Sequence, residues 1–217
     1  MGSRLLTFVL TFALVGSGLG WLPKASTYRL PGSNQGYQPA QPIAFSHRQH
    51  SGELRVPCLY CHWAAEKSHY AGIPAAGICM NCHRKATASS VAVRAEAERA
   101  RREQREPRLL TSPEIKKIYD HLGLGDDRER DPDKKVTPIE WSLVYSMPDF
   151  VYFDHRAHVG VGVACQRCHG PVETMERVRQ EGDLSMGWCV DCHREATRDG
   201  VGGRKVNASI DCSICHR

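Results

Sequence analysis

The chain lacks what most functional classes require. No Gly-rich phosphate loop, no nucleophile constellation and no acid/base carboxylate pair can be read along its 217 residues, so nothing in it points to a catalytic site of its own. Aromatic residues are 7% of the chain and do not interleave with basic ones, which removes the usual signature of a nucleic-acid face. Only one long apolar run is present, at the N-terminus. No cysteine is left over for a lone reactive thiol, because all ten fall into one repeated pattern.

That pattern is Cys-x-x-Cys followed directly by histidine: CLYCH (58–62), CMNCH (79–83), CQRCH (165–169), CVDCH (189–193) and CSICH (212–216). Cysteines three apart lie on one side of a helical turn, where each thiol can add to a haem vinyl group while the next imidazole reaches the iron. This is the attachment signature of c-type haem. Zinc ribbons pair Cys-x-x-Cys without needing that histidine. A thioredoxin-like pair comes singly beside a βαβ pattern, and a disulfide framework permits many spacings. With 11 histidines in 217 residues, five such coincidences have odds of about one in 10^6 to 10^7. The expectation is five covalently bound haem c, held by Cys58, Cys61, Cys79, Cys82, Cys165, Cys168, Cys189, Cys192, Cys212 and Cys215. The proximal axial ligands would be His62, His83, His169, His193 and His216.

Five haems in so short a chain leave about 43 residues for each, too few to wrap every cofactor in its own apolar core. The porphyrins must form much of the core, with short helices and loops around them. The formal charge of +5 reads differently once the cofactors are counted. A ferric haem with both propionates ionised contributes about −1 and a ferrous one about −2, giving roughly 0 oxidised and −5 reduced. The basic side chains then read as propionate partners.

At the N-terminus, Arg4 precedes an uncharged run from Leu5 to Leu22. As a helix it would be about 27 Å long, enough to cross a hydrocarbon core. A cleaved signal peptide has the same order of features, but no small-x-small cleavage site follows the run. The expectation is a retained single-pass anchor over 1–25 in the cytoplasmic membrane. Because thioether attachment takes place outside that membrane, the haem body would sit on its periplasmic face. Residues 26–44, rich in Pro, Gly and Gln, read as an extended tether.

The segment FSHRQHSGELRVPCLYCH (45–62) returns as FDHRAHVGVGVACQRCH (153–169), and GICMNCHRKAT (77–87) returns as GWCVDCHREAT (187–197). The sequence is therefore divided into a dihaem module (45–88), a connector (89–150) and a second module extended by the fifth motif (151–217). An electron-transfer haem needs both axial positions filled, and the spare histidines are His47, His50, His69, His121, His155 and His158. His47 and His155 are expected to ligate the haem of the motif following each. His69, between the first two motifs, is the natural candidate for Cys79–His83. The corresponding stretch of the second half has no further histidine and offers Met175 and Met186, so Met175 or His50 would complete the haem of Cys189–His193. Packing between porphyrins is the plainer role for either methionine.

In the connector, residues 89–106 read as a solvated helix without a sustained apolar stripe. Residues 112–125 read as a helix capped by Ser112, begun by Pro113 and closed by Gly123, with His121 in its last turn.

The Phe-x-His-x-x-His spacing resembles multihaem cytochromes of the c3/c7 type, where the second histidine of such a pair crosses to another haem. That resemblance implies His158 on the haem of Cys212–His216 and a crossing role for His50. More specifically, PIEW (138–141), MPDFVYFDH (147–155), CHGPVETM (168–175), LSMGWCVDCHR (184–194) and the motif order are similar to the pentahaem cytochrome subunit of alternative complex III. The resemblance implies an electron relay from quinol oxidation to a periplasmic acceptor or oxidase. Its implied partners are polytopic quinol-binding membrane subunits, an iron-sulfur subunit and a monohaem cytochrome c. Relatives often have histidine just before the PDF segment, where this chain has Tyr145. A NapC/NrfH-type quinol dehydrogenase anchor is the rival reading, and a multihaem reductase with an open iron a more distant one.

Overall fold

The computed structural model describes residues 34–216. The expected anchor and the first part of the tether lie outside the described residues. Among the described residues no helix is long and apolar enough to cross a membrane.

Short helices and loops make up the body. They are α1 (Cys58–Cys61), α2 (Ala76–His83), α3 (Ser90–Arg102), α4 (Pro113–His121), α5 (His155–Val161), α6 (Gln166–His169), α7 (Met186–Asp199) and α8 (Cys212–Cys215). Single turns at Arg48–Glu53, Trp63–Glu66 and Val172–Thr174 complete the set. Strand pairing among the described residues is limited to isolated bridges such as Val151 with His216. Every haem motif sits on a helix, α1, α2, α6, α7 and α8 in turn, so each places its two sulfurs on one side of a turn. Polar caps start several of these helices. Ser185 accepts from the Trp188 N–H at 3.3 Å and Asp211 from the Ser213 N–H at 2.9 Å, satisfying donors that would otherwise be orphaned.

The protein part buries few apolar side chains: Ile43, Ala65, Met80, Ala100, Ile118, Tyr119 and Met175. One cluster joins Ile43, Met80, Ile118 and Tyr119, with Ile115, Leu122, Ile139 and Trp141 packed beside it. Helix α4 supplies its wall. Ser112 caps it, accepting from the Ile115 N–H at 3.3 Å, Pro113 opens it, and Gly123 follows with φ +64°, as its sequence implies.

Two segments differ from the sequence reading. Residues 35–44 do not hang free, because their polar groups are bound to the body. Gly36 N–H donates to Gln180 O at 2.7 Å and Gln180 N–H to Tyr37 O at 2.9 Å. Gln41 exchanges two 2.9 Å bonds with the Ser142 backbone, and Ile43 enters the core. Helix α3 is not solvated all round either. Glu96 is 6% exposed and Ala100 fully buried, because the chain turns back and clasps Glu96 with Arg105 Nη1 at 2.6 Å and the Arg108 N–H at 3.0 Å.

The halves interlock reciprocally. The Arg48–Glu53 turn of the first half packs on Val172–Thr174 of the second, while α5 of the second packs on Trp63–Glu66 of the first. Arg48 N–H donates to Met175 O at 2.9 Å, and His155 N–H to His69 O at 3.3 Å. Gly52 is required at the first contact, since a Cβ there would fall against the Glu173 carbonyl oxygen.

Candidate haem-ligand array

The two histidines of each Phe-x-His-x-x-His segment leave their turn in different directions, because one phenylalanine separates them. Phe45 stands edge-on to His47 (4.8 Å, 84°) and stacks on His50 (4.3 Å, 25°). Phe153 does the same to His155 (4.8 Å, 88°) and His158 (4.5 Å, 28°).

Each of these four rings faces a motif histidine. His47 lies parallel to His62 with centroids 6.5 Å apart and planes at 8°, and His155 to His169 at 6.4 Å and 8°. His50 faces His83 at 6.1 Å and 61°, and His158 faces His193 at 6.0 Å and 37°. With metal–nitrogen bonds of about 2.0 Å and a ring centre about 1.1 Å beyond each nitrogen, two imidazoles on one metal ion stand about 6.2 Å apart. The residues therefore fit an iron held between paired imidazoles.

Hydrogen bonds settle which nitrogen is available. The Nδ1 atoms of His62, His83 and His193 lie 2.7, 2.7 and 2.6 Å from the carbonyls of Gly72, Ala86 and Ser209. Those of His50, His155 and His158 lie 2.8, 2.7 and 2.8 Å from Ser46, His69 and Asp154 carbonyls. A ring that donates from Nδ1 presents an Nε2 lone pair. Burial, with His62 and His50 nearby, pushes the His47 imidazole down to about 4. Burial, with His155 and His62 nearby, does the same to His169. Both rings stay neutral, the form that binds metal.

The remaining candidates fall elsewhere. His69 stacks on Tyr152 at 6.0 Å, and the Tyr152 N–H donates to Cys215 O at 2.8 Å, so His69 stands on the side of the fifth motif rather than the second. His216 stacks on Phe150 at 5.9 Å. Met175 is buried where the halves meet, and the ring opposite His193 is that of His158. His121 bonds Thr137 Oγ1 through Nδ1 at 3.0 Å in the last turn of α4. The ring arrangement thus departs from the expectations for His69, His158 and Met175, while His50 reaches past the first motif to the second motif of its own half.

The cysteines stand in a row. Burial raises the Cys61 thiol, helped by Cys82, and the Cys165 thiol, helped by Cys58. It also raises Cys168, next to Cys192 and Cys189, and Cys189, next to Cys215. Asn81 Nδ2 donates to the Tyr60 hydroxyl at 2.8 Å, and Arg167 pairs with Glu195 at 2.5 Å. Along this row the motifs run second, first, third, fourth, fifth.

Two supporting tyrosines were not singled out by the sequence as contacts of motif histidines. The Tyr119 hydroxyl donates to His83 O at 2.6 Å. Tyr145 meets the His169 ring edge-on at 4.5 Å and accepts from the Glu181 N–H at 3.1 Å. No local pattern marks either one, whereas the phenylalanine of the repeated segment was visible in both copies.

An array of Cys-x-x-Cys-His motifs with facing imidazoles defines a multihaem c-type cytochrome, a class that carries covalently bound haem c. Residues 151–217 match the family described as cytochrome c7 and related cytochrome c, and carry a multihaem domain of that type. The chain is also similar to the menaquinone reductase multiheme cytochrome c subunit of Nitratidesulfovibrio vulgaris (strain Hildenborough). The two are 24% identical over 200 residues, covering 83% of this chain and 78% of the relative.

Proposed function

We propose that this chain is a membrane-anchored pentahaem electron relay within a quinol oxidoreductase assembly of the alternative complex III type. The observation that carries the reading is the set of four imidazole pairs, 6.0–6.5 Å apart, at the spacing of ligands sharing one metal ion. Each haem supplies a one-electron iron couple when bound. The ten cysteines would hold the five groups through thioether bonds, with His62, His83, His169, His193 and His216 as proximal ligands. The distal partners are His47 for His62, His50 for His83, His155 for His169 and His158 for His193. His69 serves His216 from the strip that carries Tyr152. Met175 packs between the halves instead of ligating.

With histidines such as these on both sides of each iron, small oxidants would find no open coordination site, and the bound groups would supply one-electron couples with little rearrangement. The row of cysteines orders the relay from the second motif through the first, third and fourth to the fifth. Entry and exit then lie at the two ends. The N-terminal apolar run holds the body at the periplasmic face of the cytoplasmic membrane. Polytopic quinol-binding subunits, an iron-sulfur subunit and a monohaem cytochrome c complete the assembly.

The relative's description as a menaquinone reductase subunit favours a second reading of direction, with electrons delivered to menaquinone instead of drawn from quinol. Purification through this chain in mild detergent, with mass spectrometry of what accompanies it, tests the assembly. An iron-sulfur subunit with multi-span partners is expected. The chain alone, or with one soluble reductase, overturns the assembly and favours the NapC/NrfH-type anchor. Reduction of the purified complex by a menaquinol analogue, against its oxidation by the quinone, decides the direction.

A further inference from the structure

We infer that the positions of Cys79–His83 and Cys189–His193 are the low-potential points of the relay, because both imidazoles facing each other there are hydrogen-bonded to backbone carbonyls. The inference rests on the ligand assignment proposed above. At the second motif, His83 Nδ1 is 2.7 Å from Ala86 O and His50 Nδ1 is 2.8 Å from Ser46 O. At the fourth, His193 Nδ1 is 2.6 Å from Ser209 O and His158 Nδ1 is 2.8 Å from Asp154 O.

The other positions have fewer such bonds. At the first motif His62 is bonded to Gly72 O at 2.7 Å, while Nδ1 of His47 is buried without a partner. At the third, His155 is bonded to His69 O at 2.7 Å, and His169 has no Nδ1 bond among the described residues. At the fifth, neither His69 nor His216 has one among the described residues.

A carbonyl drawing on Nδ1–H makes the opposite nitrogen a stronger donor, and a stronger donor stabilises the more highly charged metal. Two such ligands on one iron lower its potential further than one. The device is written into the repeat. The second histidine of each Phe-x-His-x-x-His segment reaches the carbonyl four residues back, Ser46 or Asp154, in the same turn that carries the first histidine. Along the row the positions therefore run low, high, high, low, high. A partly reduced protein holds its electrons on the central pair and at the fifth motif, and the fourth position is the uphill step between them.

Potentiometric titration of the full complex, comparing His50→Met with His47→Met and His158→Met with His155→Met, tests this. The component displaced in His50→Met should have a lower midpoint than that displaced in His47→Met, by about tenfold in the equilibrium constant, or about 59 mV for one electron. The same order is expected in the second half, and equal or reversed midpoints overturn the inference.

Wild-type protein gives an independent readout should a variant fail to mature. The planes cross at 61° for His50 and His83 but at 8° for His47 and His62 and for His155 and His169. Crossed planes give a highly anisotropic low-spin EPR signal and parallel planes a rhombic one. The anisotropic signal should be reduced last, and its disappearance before the rhombic signals refutes the assignment. Fewer than five haems by pyridine haemochrome, or high-spin iron in wild type, overturns the underlying ligand reading instead. Five low-spin haems in the wrong order overturn this inference alone.

Discussion

Gly52 and Gly160 occupy the same position in the two repeats, eighth in FSHRQHSG and FDHRAHVG, yet substitution by alanine should affect them in opposite ways. A methyl group at Gly52 falls against the Glu173 carbonyl oxygen, a backbone atom of the opposite half, while at Gly160 nothing lies within 4 Å. Relief at Gly52 requires the Arg48–Glu53 turn to lift from Val172–Thr174, lengthening the 2.9 Å bond from Arg48 N–H to Met175 O. Overpacking of this kind costs about 1–3 kcal/mol. For a chain of this size each kcal/mol lowers Tm by about 2–4 °C, so Gly52→Ala should lose about 2–12 °C. Gly160 lies within α5, where alanine favours the helix by about 0.5–1 kcal/mol. Thermal melts of the haem-loaded proteins at one scan rate, followed by the Soret band and far-ultraviolet circular dichroism, make the comparison. Equal shifts in the two variants would refute the reciprocal packing of the halves.

Tyr119→Phe leaves the His83 carbonyl without its 2.6 Å donor in a buried setting and should cost about 1 kcal/mol in denaturant unfolding, with no change in haem content. The Glu96 carboxyl is held at about 2, against an ordinary 4.5, by the Arg105 side chain first and then the Arg108 N–H. Its folded value is depressed, so the stability it contributes is present above pH 4.5 and is lost as pH falls towards 2. Glu96→Gln should therefore flatten the acid limb of a stability-against-pH curve, and an unchanged limb would show that the clasp contributes nothing. The double variant Cys58→Ala and Cys61→Ala should mature with four haems instead of five by pyridine haemochrome and intact mass. A count unchanged from wild type would mean the first motif carries none.

Local chemistry was legible without the fold. Cap, Pro and Gly around α4 are all defined within a dozen residues, and so are its bounds. The clasp on Glu96 was not legible, because Arg105 and Arg108 reach it only after the chain reverses beyond α3. The same holds for residues 35–44. Their Pro, Gly and Gln content describes an extended segment, but the partners that bind it, Gln180 and Ser142, lie more than a hundred residues away.

The histidines divide along the same line. A haem motif closes within five residues, and its covalent chemistry depends on nothing farther off, so the sequence alone determined five attachment motifs, the duplication and the pool of spare ligands. Spacing led to His47 and His155 on the motif following each, but which motif histidine the other spare rings face depends on tertiary packing, and spacing has no access to that. His50 and His158 turn towards the later motif of their own half because Phe45 and Phe153 split each pair. His69 is drawn to the fifth motif because the chain between Phe150 and His155 runs beside it. Tertiary packing decided the remaining pairings and the order of the row, since rings are placed by distant contacts such as that of His155 with the His69 carbonyl, 86 positions apart, while the motifs that define the chemistry are local.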